Sequence, residues 1–187
     1  MVSIKRAAQL AVVALALLLA SCTPKPAPSP TKSTPSVSLR SPSPSPSDPR
    51  AAAVQAGVEA YRGMWQAYNS AIEIPDPNTP DLPKYATGKA LTTLTSALKS
   101  VKDQGLKGTG QLVLSPHVTK ITPIDAPASI DVQDCYDDGA THVVRASPGP
   151  PYHDAPAGKR LCLATVERQA DGTWKVTQFS LGKVGTC

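Results

Sequence analysis

Residues 129–138 read SIDVQDCYDD. By the two-residue alternation of an extended chain, Ile130, Val132, Asp134 and Tyr136 share one face of this segment. That pattern predicts a half-buried strand from Ser129 to Asp138 with a carboxylate set into its apolar side. The turn signal Asp137-Asp138-Gly139 reads as a bulge or kink within one bent strand, which resumes at Thr141–Arg145.

On either side of this segment the strand-favouring composition continues. Further strands are expected at Gln111–Ile121, Arg160–Arg168 and Trp174–Leu181, separated by turn signals at Asp125-Ala126-Pro127 and Ala170-Asp171-Gly172. Residues 147–158, SPGPPYHDAPAG, read as the tip of a hairpin. Before residue 110 the period changes. Val54, Val58, Tyr61, Trp65, Tyr68 and Ile72 recur at spacings of three and four, the apolar stripe of a helix of about six turns that starts at Asp48-Pro49. Pro75, Pro77, Pro80 and Pro83 forbid its continuation and make a rigid loop. Leu91, Leu94, Leu98 and Val101 then mark a second amphipathic helix ended by Gly105. Helices first and strands afterwards imply an α+β domain, with N-terminal helices packed on a curved antiparallel sheet.

The chain ahead of the domain is of a different kind. Thr23–Pro49 is dominated by Pro and Ser and holds too little apolar surface to offset its ordering entropy, so residues 22–49 are expected to be a disordered, semi-extended tether. Lys5 and Arg6 followed by the mostly apolar run Ala7–Ala20 form a secretory signal, residues 1–21, too short to span a bilayer. Leu19-Ala20-Ser21-Cys22 resembles the lipobox of bacterial lipoproteins, which implies cleavage before Cys22 and lipid, palmitate included, on that cysteine. Two or three acyl chains would hold the protein on the extracytoplasmic face of the cell membrane. The formal charge of +5 belongs to the signal and the tether, because from Arg50 onward 14 Lys and Arg face 13 Asp and Glu. The globular domain, residues 50–187, therefore lacks the basic stripe that a nucleic-acid partner requires.

Tyr85-Ala86-Thr87-Gly88 before the second helix, Val132-Gln133-Asp134-Cys135 on a strand, Gly172-Thr173-Trp174-Lys175-Val176 on the last strand and a terminal cysteine form a recognisable order. It resembles the secreted nuclear transport factor 2-like (SnoaL-like, cystatin-like) lipoprotein domains common in actinobacteria. The resemblance spans residues 50–187 and implies a cone-shaped fold. With Cys22 assigned to lipid, Cys135, Cys162 and Cys187 remain, and three pairings are open. The resemblance implies Cys135 with Cys187, a link that would keep the last strand from fraying. A hairpin centred near Pro148-Gly149 would instead set Cys135 opposite Cys162. An unpaired Cys162 among Leu161, Leu163 and Ala164 reads as a small buried hydrophobe.

The resembling superfamily includes isomerases and cyclases that place an Asp or His inside the cone, so Asp134, aided by His142 or Tyr136, is the catalytic candidate to examine. Against it, a carboxylate at a strand kink most simply bonds to backbone. Tyr61, Trp65 and Tyr68 are candidates for lining a ligand pocket. His117, His142 and His153 lack ligand spacing, and neither a metal nor another cofactor is expected. The expected function is a non-catalytic module at the cell envelope, partnered by the membrane through its lipid and by a small apolar ligand or an envelope protein. The alternative is a SnoaL-like isomerase or cyclase.

Overall fold

A computed structural model describes residues 48–187 of the chain. The signal, Cys22 and the tether up to residue 47 lie outside the described residues, among which no helix is long and apolar enough to cross a membrane.

Helix α1 spans Pro49–Glu73. Its start is set by Asp48, whose side chain accepts from the Arg50 amide at 2.9 Å, and by Pro49 in the first turn. The buried surface of α1 is wider than the aromatic stripe, because Ala53, Gly57, Ala60, Gly63, Met64, Ala67 and Ala71 are buried as well. The small residues let neighbouring elements approach closely. A methyl on Gly57 would overlap Ile130 Cδ1, and one on Gly63 would lie 2.5 Å from the Tyr85 ring. The proline loop that follows is not wholly irregular: Leu82–Tyr85 makes a helical turn, α2, which buries Leu82. Helix α3, Gly88–Asp103, buries Ala90, Leu94 and Leu98 and is followed by Gly105 in the left-handed region.

The strands form two antiparallel sheets. Strands β1 (Leu106–Thr109) and β4 (His142–Arg145) make a two-stranded sheet. Strands β2 (His117–Thr122), β3 (Ser129–Asp137), β5 (Lys159–Arg168) and β6 (Trp174–Leu181) make a four-stranded sheet in the order β2-β3-β5-β6. The α+β class is the observed one, but three expectations need correction. The strand expected over Gln111–Ile121 starts only at His117, since Pro116 has no amide to donate, and Val113 meets Asp137 in an isolated bridge. Leu106–Thr109 is a strand the composition hid. The break at Asp137-Asp138-Gly139 divides two strands of different sheets rather than bending one, because β3 pairs with β5 whereas β4 turns away to pair with β1. For the same reason residues 147–158 are the connection from β4 to β5 and not the tip of a simple hairpin.

Register decides where the cysteines face. Asp134 lies opposite Cys162, and Cys135 opposite Leu161. The arrangement with Cys135 opposite Cys162 is one residue out, and a one-residue slip turns every side chain to the other face. Cys162 therefore shares the interior with Asp134, while Cys135 is disulfide-bonded to Cys187 with Cα atoms 5.8 Å apart. The interior face of the four-stranded sheet, built of Ile130, Val132, Tyr136, Ala164, Val166 and Val176, packs on Tyr61, Met64 and Trp65 of α1 and on Leu94 and Leu98 of α3.

Candidate functional site

The residues first in line for chemistry meet in the core. Asp134 is 0 % exposed. Its Oδ2 accepts from the Tyr61 hydroxyl at 3.0 Å and its Oδ1 from the Ser115 amide at 2.7 Å, so both oxygens are engaged by protein donors. These bonds satisfy a polar side chain that burial removes from water. Across the strand pair, burial pushes the Cys162 thiol up to about 11, which leaves it protonated and a poor nucleophile at neutral pH. Burial also raises the phenols of Tyr61, Tyr68 and Tyr136.

The aromatic side chains complete the filling. Trp65 packs against Tyr136 with ring centroids 4.7 Å apart, against Phe179 at 5.1 Å, and edge-on to Tyr61 and Tyr68. Pairs of this kind add to the stability that their buried area already confers. His142 is exposed on β4, where it lines a small cavity of about 50 Å³ with Tyr68, Asn69, Leu112 and Tyr136. Asp134 does not line that cavity. The structure thus brings Tyr136 to the cavity that His142 lines, whereas Asp134, two residues earlier on the same face of β3, bonds Tyr61 and Ser115 instead. His117 and His153 are exposed and far apart in the topology. Among the described residues no group of three or more His, Cys, Asp or Glu could hold a metal ion.

Of the three pocket candidates, Tyr61 is wholly buried and its hydroxyl serves Asp134. Trp65 and Tyr68 do line cavities. The larger of these is a cleft of about 220 Å³ between α1 and the segment that follows β1. One wall is the α1 stripe Arg62, Trp65, Gln66, Asn69, Ser70 and Glu73, and the other is Gln111, Leu112 and Leu114. The two walls are tied at both ends. Arg62 Nη1 donates to the Leu114 carbonyl at 3.3 Å, and Asn69 Nδ2 donates to the Gly110 carbonyl at 3.2 Å. Trp65 is 2 % exposed, yet its indole Nε1–H has no acceptor among the described residues. Arg62, Gln66, Asn69 and Gln111 escaped the sequence reading. The signal of the three on α1 was the polar stripe at spacings of three and four beside the aromatic one, which on any helix also describes an ordinary solvated face.

No protein-family model matches the chain, and no curated protein sequence matches it. Among solved structures, it is similar to the intermembrane space region of the chloroplast protein ARC6. That match has 16% identity and a TM-score of 0.44, and covers 68% of this chain and 95% of the other. It is also similar to a ketosteroid isomerase-like protein from Erwinia carotovora atroseptica, with 11% identity and a TM-score of 0.42, over 67% of this chain and 92% of the other.

Proposed function

We propose that the chain is an extracytoplasmic lipoprotein, anchored through Cys22, whose domain acts as a non-catalytic binding or interaction module at the cell envelope. The observation that carries the module reading is the division between interior and surface. Inside, both oxygens of Asp134 are occupied by Tyr61 and Ser115, and aromatic rings fill the space around them. At the surface, an open cleft offers polar groups beside Leu112 and Leu114. The arrangement favours holding a partner over proton transfer, which needs an acid or base within reach of a substrate. For the envelope address, support comes from the signal and lipobox, and from a disulfide of the kind that persists in oxidising compartments. The partner through the anchor is the membrane, and the partner of the domain is a small ligand or an envelope protein.

Metabolic labelling with an alkyne fatty acid tests the anchor. The wild-type chain should carry label and sediment with membranes, and Cys22→Ser should lose both. A labelled or membrane-bound Cys22→Ser chain would sink the reading.

A further inference from the structure

We infer that Pro42–Ser47, the segment that leads into the domain, docks in the apolar groove between the start of α1 and the sheet, with its prolines against Trp174. The inference goes beyond the module reading and does not depend on lipid at Cys22.

The groove has a volume of about 410 Å³. Ala52, Ala53 and Ala56 of α1 line it, and Pro127 before β3 and Trp174 at the start of β6 complete its walls. Trp174 is partly exposed, so it borders a surface that another chain can reach. Of the lining residues only Arg168 is charged. Such walls select a neutral occupant that brings few polar groups to desolvate.

Pro42–Ser47 reads PSPSPS and has that character. It carries no charge, and its three prolines have no N–H to leave unpaired against apolar walls. Proline-rich segments dock on aromatic-lined grooves because their polyproline conformation is already restricted before binding. Composition denies this segment a core of its own, and the groove supplies apolar surface to bury against.

Connectivity selects this occupant over others. Pro49, two residues after Ser47, is itself a lining residue. Asp48 between them has φ −57° and ψ 117°, near polyproline values, so the chain leaves the helix already extended. Six residues of polyproline helix extend about 19 Å, whereas α1 from Pro49 to Ala56 covers about 10 Å, so a chain that reverses at Asp48 spans the groove. A segment joined so close to its site has an effective concentration on the order of millimolar, at which weak contacts suffice.

The test uses the full chain in detergent micelles, labelled with 5-fluorotryptophan. Trp65 and Trp174 are the two tryptophans, and Trp174→Phe assigns their fluorine resonances. Trp65 does not line the groove and lies about 24 Å beyond Pro49 along α1, so it is the internal reference. In the Pro42→Ser, Pro44→Ser, Pro46→Ser variant the Trp174 resonance should move from its wild-type position while that of Trp65 stays. The substitutions lie ahead of α1 and leave the domain's own residues unchanged. A PSPSPS peptide with a nitroxide at its amino end should broaden the Trp174 resonance of this variant, and the wild type should need about tenfold more peptide for the same broadening. An unmoved Trp174 resonance, no broadening, or equal broadening of the two chains overturns the inference. A difference at Trp174 that disappears on dilution assigns the groove to the segment of a second copy and overturns it as well.

Discussion

The hydroxyl of Tyr61 donates to the carboxylate of Asp134 at 3.0 Å across 73 positions of sequence, joining the first helix to the central strand pair inside the core. With the Ser115 amide on its other oxygen, Asp134 ties α1, β3 and the segment before β2 to one point. Removing either partner leaves a buried polar group alone. Asp134→Ala should destabilise the fold by about 3 kcal/mol and Tyr61→Phe by about 2 kcal/mol. The double variant should lose less than the sum, since the two share one bond. Urea denaturation of the four proteins measures this, and simple additivity would show that the contact does not couple the two elements.

Cys162 predicts an alkaline limit. Its thiol rises from an ordinary value of 9.0 to about 11 in the folded chain, so the native state holds the proton more tightly than the unfolded state does. The contribution is fully present below pH 9 and is lost as pH rises from about 9 to about 11. The buried tyrosines act in the same direction at higher pH. Stability of the wild type should therefore fall through this window, and Cys162→Ala should flatten the first part of the fall. At pH 8 a thiol reagent should modify Cys162 only in denaturant, and rapid modification of the native protein would contradict its burial.

The link from Cys135 to Cys187 closes a separation of 52 residues. Its removal in the Cys135→Ser, Cys187→Ser double variant should cost about 2 to 5 kcal/mol. Hydrogen exchange should then speed up after β6, where Gly182 and Gly185 amides donate to the carbonyls of Leu161 and Lys159. Unchanged exchange in this tail would mean that those bonds hold it unaided.

The close approach of β3 to α1 predicts a size limit at one position. Gly57→Ala drives a methyl into Ile130 and should cost about 1 to 3 kcal/mol, as overpacking does. Ile130→Val removes Cδ1, the closer of the two Ile130 atoms in the way, so the Gly57→Ala, Ile130→Val pair should melt above the sum of the single losses. Thermal denaturation decides the matter.

Much of this architecture was readable because burial imposes a period. SIDVQDCYDD alternates, and its buried residues are Ile130, Val132, Asp134 and Tyr136. The aromatic stripe of α1 was equally plain. What escaped on α1 has the same helical period but is carried by small side chains. Ala53, Gly57, Ala60 and Ala67 are buried by close approach of neighbours, and small residues carry little apolar signal. Lys107 and Gly108 disguise β1, while Leu112 and Leu114 alternate like a strand although they form one wall of a cleft. The cleft itself could not be read from the chain. Its two walls are joined across 41 and 52 positions of sequence by the bonds from Asn69 to the Gly110 carbonyl and from Arg62 to the Leu114 carbonyl, and by the packing of Leu112 and Leu114 on the core.

Helix α1 touches α2, α3, β1, β2, β3, β5 and β6. Its 25 residues extend about 37 Å, and Asp48 sits at its leading end. The element nearest the domain's amino end is thus also the one that most of the domain packs against, so loss of α1 would unseat both helices and strands at once.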